Sequence, residues 1–96
     1  MGNIILPQPY SKLAQWQRKE VREQYIEEQD NKCWYCKCDI YKDAPQNVLD
    51  KPINLDLFPP FFLKNPIHLQ HNHESDMTEG AVHAYCNAVL WQYHGR

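Results

Sequence analysis

The sequence predicts a small α+β domain, and three observations point to it. A chain of 96 residues with 43% hydrophobic content makes one domain, residues 1–96, with a modest core. A helical apolar period runs through residues 11–31. From Ile67 a strand-like alternation passes through a turn into a second helical stretch, so residues 67–94 read as two arms followed by a helix. A core drawn from so short a chain is marginal, and a structural metal would supply the missing stability.

In chain order, Pro7 and Pro9 make residues 1–10 an extended lead-in, and Ser11 is the expected N-cap of the helix over 11–31. At about 100° per residue, Leu13, Ala14, Val21 and Tyr25 share one arc, while Lys12, Arg18, Lys19 and Arg22 fill the next. That basic arc suits either a solvated face or contact with phosphate. Trp16 and Ile26 fall off the apolar arc, so the helix is expected to meet more than one partner. Asn31 and Lys32 end it ahead of a knuckle at 33–38, CWYCKC.

Residues 39–66 hold five prolines (Pro45, Pro52, Pro59, Pro60, Pro66) and read as irregular, with short strands around Ile53 to Phe58 and no helix. The run LFPPFFLKNP is expected to cover a core, its alternative use being to stack on nucleobases. Ile67 to Gln70 then alternates, and Ser75 to Gly80 turns, with Asp76 and Gly80 suited to positive φ. The last helix begins around HAYCN and ends by Gly95.

The net charge of −2 gives no general affinity for polyanions, although seven of the ten Lys and Arg residues fall between Lys12 and Lys42. No stretch approaches the ~18 apolar residues of a membrane span. The opening MGNIILPQPY lacks a signal-peptide pattern, which predicts a cytoplasmic chain with reduced thiols. In that setting clustered Cys and His bind metal. Cys33 and Cys36 form one pair, and His83 with Cys86 forms another at the same spacing, with 46 residues between Cys36 and His83. Together they make a closed four-ligand Zn²⁺ site, structural rather than catalytic. Cys38 in place of His83 is the rival set, and a redox CxxC pair is the other alternative.

The segment HLQHNHESDMTEGAVHAYCN also closely resembles the pattern DHDHxTGxVRGLLCxxCN of the phage recombination endonuclease VII family, which belongs to the HNH, or His-Me finger, nucleases. Register holds without a gap from Gln70 to Asn87, and the upstream helix with its CxxC is similar too. The resemblance implies a zinc-stabilised ββα-metal finger with an N-terminal helix. It implies hydrolysis of DNA, duplex or branched, to 5′-phosphate and 3′-hydroxyl ends, in a phage-infected bacterial host. His71 is then the general base, a task suited to an imidazole that titrates near neutral pH. Gln70 and Asn87 fall where the family holds one divalent cation, Mg²⁺ or Mn²⁺, against a non-bridging phosphate oxygen and the leaving 3′ oxygen. His73 matches the motif's second histidine, which holds phosphate or metal. His68 and His94 match nothing and are expected to be structural.

Three departures have consequences. Gln70 replaces an acidic or histidine ligand and should weaken cation binding. Glu79 stands where relatives often carry Arg, and His83 stands in place of Cys without loss of zinc chemistry. Cleavage of both strands would favour a homodimer through the N-terminal helix.

Overall fold

The computed structural model describes residues 4–94. Its elements are α1 (Gln15–Glu28), α2 (Gln46–Leu49), β1 (Ile67–His71), β2 (Thr78–His83) and α3 (Ala84–His94), with short 3₁₀ turns at Tyr10–Lys12 and Leu55–Leu57. The fold is thus small α+β: one two-stranded antiparallel sheet and three helices. Residues 1–3 of the expected lead-in and Gly95 lie outside the described residues. Among the described residues no helix is long and apolar enough to cross a membrane.

The first helix starts later than the sequence suggests. Ser11 does not cap it, because its hydroxyl and its N–H both donate to the Asp76 carboxylate at 2.5 and 3.1 Å. Ala14 is the N-cap instead, its N–H donating to Oε1 of Gln17 at 2.8 Å. The helix ends where Asp30 and Asn31 adopt φ of 59° and 62°, and the Asn31 N–H reaches back to the Ile26 carbonyl. Asn and Asp tolerate that left-handed geometry, and the returning bond satisfies a carbonyl the helix leaves open. As expected from its mixed pattern, α1 serves two clusters. Val21 packs with Leu13 and Leu69, whereas Ile26 packs with the group around Cys33, Val82 and Val89.

The hairpin is sandwiched between α1 and α3. Successive strand residues point to opposite faces, so Leu69 packs in the Val21 cluster while His68 meets Asn87 of α3. The register pairs Ile67 with His83 and Gln70 with Gly80, then skips Glu79 to pair His71 with Thr78. Such a bulge bends the strand and re-aims the side chain at its end. Asp76 takes the positive φ expected of the turn, at 64°. Gly80, however, lies within β2 and is demanded by a close approach. A Cβ there would sit 2.7 Å from Trp34 Cγ and 2.8 Å from Gln29 Oε1.

Those two neighbours tie the knuckle to the sheet. Both the Trp34 N–H and Gln29 Nε2 donate to the Ala81 carbonyl, and Gln29 Oε1 accepts from the Ala81 N–H. The Gln29 side chain therefore satisfies both backbone groups of a strand residue, as a third strand would. Gly80→Ala is expected to lower stability by about 1–3 kcal/mol through overpacking against the indole, measurable as a lower midpoint of thermal unfolding with zinc content unchanged.

Residues 39–66 depart from expectation in three ways. A single helical turn, α2, forms after Pro45, whose fixed φ suits a helix start, and buried Val48 anchors it. No strand forms over Ile53 to Phe58, because the Asn54 side chain accepts from the Asp56 N–H and bends the chain into a 3₁₀ turn. The apolar run does not cover a core: none of residues 57–66 is buried, and Phe61 is 74% exposed.

Candidate metal centre and reactive cleft

Cys33, Cys36, His83 and Cys86 converge, with their ligand atoms all within 4.8 Å of one another. The knuckle supplies the first two: Lys37 at φ 65° closes a tight turn in which its N–H bonds the Cys33 carbonyl and the Cys33 N–H bonds the Cys38 carbonyl. The second pair straddles the junction of β2 and α3, where three residues make nearly one helical turn. Around a tetrahedral zinc, a thiolate sulfur and an imidazole nitrogen lie about 3.5 Å apart. His83 Nδ1 is 3.4 Å from Cys36 Sγ and 3.5 Å from Cys86 Sγ.

The tautomer also suits a metal. His83 Nε2 lies 3.0 Å from the Asp39 carbonyl, which only accepts, so Nε2 carries the proton and Nδ1 keeps its lone pair toward the sulfurs. Charge among the thiols is unevenly shared. A hydrogen bond from the Cys86 thiol draws Cys33 down to about 4. Burial pushes Cys36 up to about 11, and Cys86 is raised by donating its own thiol proton to Cys33 and then by burial. This donor set could hold a zinc ion. All four cysteines are free thiols, and Cys38 is exposed, its sulfur turned to the Cys36 carbonyl rather than toward the cluster.

The second site is a cleft of about 470 Å³ along β1. The described sheet has two strands, so β1 has an unpaired edge, and all five of its residues line the cleft. Arg18 and Arg22 of α1 form one wall, Asn87 and Trp91 of α3 another, and Phe58 and Phe62 close it. Gln70, His71, His73 and Asn87 thus share one cavity. No aspartate or glutamate lines it.

No family model, curated protein or solved structure matches this chain. Function must therefore be argued from the cleft's own chemistry.

His71 is half-buried, and its ring stacks on Tyr10 with centroids 3.9 Å apart and planes 8° from parallel. Burial, reinforced by the neighbouring His73, holds its pKa below the usual imidazole value. His71 is consequently neutral, with a lone pair available, at neutral pH. Tyr10 is carried there by the lead-in, which is fastened to the hairpin turn: the Tyr10 N–H donates to the Asp76 carbonyl, and the Gln8 and Thr78 backbones and hydroxyl interlock. The Arg18 guanidinium lies over the Tyr10 ring, 5.1 Å from its centre.

Asn87 does not cap α3, which begins at Ala84. Its Nδ2 donates to His68 Nδ1 at 3.1 Å, leaving the amide oxygen available. Gln70 is 2% exposed and spends its amide nitrogen on the His71 carbonyl and on Glu79 Oε1. Two neutral amides in a cleft without a carboxylate do not fit a resident Mg²⁺, which takes charged oxygen.

The sequence reading missed several cleft residues. His68, taken as structural, lies in the cleft beside Asn87, with burial lowering its pKa. Trp91 sits one helical turn beyond Asn87, an i,i+4 spacing that places both on one face and could have flagged it. Tyr10 gave no local signal. His94 lies outside the cleft, near the Tyr35 hydroxyl at 3.3 Å.

Proposed function

We propose that this protein is a DNA endonuclease that hydrolyses phosphodiester bonds with His71 as general base, leaving 5′-phosphate and 3′-hydroxyl ends. One observation carries the reading: a cleft on a chain of net charge −2 gathers two arginines and three histidines with no carboxylate. Such a cavity favours an anion, and the neutral imidazole of His71 is a base within it. Water aligned with a phosphate bound at Arg18 and Arg22 would lose its proton to His71 as it attacks phosphorus. The bond to the 3′ oxygen then breaks, and that oxygen takes a proton from solvent to become the 3′ hydroxyl. Arg18 and Arg22 would balance the charge that grows on the non-bridging oxygens. His73, whose ring centre is 4.5 Å from that of His71, would help hold the phosphate.

The match of the His71–Asn87 spacing to the His-Me finger motif supports the same reading, with β1, β2 and α3 as the finger and Zn²⁺ as its buttress. Mg²⁺ or Mn²⁺ then belongs to the complex with DNA rather than to the free protein. Incubation of supercoiled, linear, branched and single-stranded DNA with either ion tests it. Ligatable nicks are the expected product, and intact DNA under every condition would overturn the proposal.

A second reading, a zinc-stabilised nucleic-acid-binding module with little turnover, is favoured by Gln70. Its replacement by Asp decides between them. Gln70→Asp would set a buried carboxylate against Glu79, a like-charge contact that a bound cation relieves. For the endonuclease, nicking in millimolar Mn²⁺ is expected to rise at least tenfold, at some cost in stability without the ion. An unchanged rate beside tight DNA binding would favour the module.

A further inference from the structure

The aromatic side of the cleft is unexplained by phosphate chemistry. Phe58, Phe62 and Trp91 line it beside the histidines, and the rings stand edge to face: Phe58 to Trp91 at 5.6 Å, Phe62 to His68 at 4.6 Å and Trp91 to His73 at 6.4 Å. None is buried, and Trp91 is 41% exposed. The segment that carries the two phenylalanines contributes nothing to the core, and apolar surface held open beside a reactive site marks a binding function.

The opposite wall is cationic. Arg22 lies close enough to His68, and Arg18 to His71, for each to depress the protonation of its neighbouring imidazole. Arginines and partly exposed aromatic rings lining one cavity match the two surfaces of an unpaired nucleotide, its phosphate and its base. A duplex offers only the first, because its base faces are covered by one another and its outside is sugar and phosphate. The volume of about 470 Å³ lies within the roughly 300–1,000 Å³ range of small-molecule pockets.

From this juxtaposition we infer that the substrate is DNA with unpaired bases at the scissile phosphate, a single-stranded stretch or flap, one base resting against Trp91 and Phe58. The inference rests on the phosphodiesterase reading above but is separable from it.

The test is fluorescence anisotropy of a labelled single-stranded oligonucleotide and of the blunt duplex of the same sequence, bound by the zinc-loaded His71→Ala protein, which leaves the DNA uncut. The single strand is expected to bind at least tenfold more tightly. Adding Trp91→Ala should erase about tenfold of that affinity, and Trp91→Phe should restore most of it, since alanine at a stacking position typically costs that much or more. Phe58→Ala serves as an independent second variant, with thermal melts confirming that each protein is folded. Equal binding of the two DNAs, or affinity indifferent to both aromatic changes, would overturn the inference. Nicking of supercoiled duplex that depends on His71 would then leave the endonuclease reading standing. Failure to bind or cut any DNA would remove both.

Discussion

His71→Ala is expected to reduce DNA cleavage by about two to four orders of magnitude, the usual cost of losing a positioned general base. The fold should survive, because the ring is half-buried at the end of β1 and stacks on Tyr10 rather than inside either apolar cluster. Unfolding by heat would be nearly unchanged while single-turnover cleavage collapses. A variant that cuts as fast as the parent would remove His71 from the chemistry.

The pH profile carries the same signature. Burial, followed by repulsion from His73, lowers the pKa of His71 below about 6.5, so the basic form persists into mildly acid solution. The acid limb of kcat/KM is therefore expected below that value, with a plateau above it. Stability follows the same sign. In the unfolded chain the imidazole takes up its proton near 6.5, whereas in the folded chain it does so only at lower pH, so folding binds fewer protons in that window. The contribution is complete above about 6.5 and is lost as pH falls through the folded value. His68, also lowered by burial, adds in the same direction.

Removal of zinc should have the largest effect on the fold. Structural zinc sites contribute on the order of 10–16 kcal/mol at pH 7, comparable with or greater than the ~5–15 kcal/mol net stability of a typical domain. Here the four ligands join the knuckle after α1 to the junction of β2 and α3, and Cys33 and Cys86 belong to the larger apolar cluster. A strong chelator is expected to abolish cooperative unfolding. Elemental analysis should give one zinc per chain in the parent and in Cys38→Ser, and none in Cys86→Ser. Because Cys36 and Cys86 hold their protons tightly without the ion, loading must release protons, and affinity should fall on acidification. A purified chain that melts identically with and without chelator would refute the buttress.

What the sequence made legible was local chemistry. The two ligand pairs are each three residues apart and use side chains with few other joint uses, so their convergence could be inferred without a fold. The cleft was only partly readable, because its lining comes from five separate segments. Residues 57–66 were misjudged because apolar composition does not say whether a run faces inward or outward. His68 was set aside because it matches nothing in the His-Me finger motif. A motif match says nothing of which neighbours share the cavity, and all five residues of β1 line it, His68 among them. Ser11 failed as a cap because a carboxylate 65 residues away competes better than its own helix.

The fastening of residues 8–11 to the hairpin turn has one further consequence. It combines exposed and half-exposed hydrogen bonds, chiefly Ser11 to Asp76, with packing of Ile4, Leu6 and Tyr10 on the Val21 cluster, while the Cys33 knuckle and the Val82 cluster lie elsewhere. Fraying of that strap would strip the Tyr10 ceiling from the imidazole and uncover the Val21 cluster, while the larger Val82 cluster stays closed. On the proposed role of His71, cleavage would therefore fade at a lower temperature or denaturant concentration than the main unfolding transition.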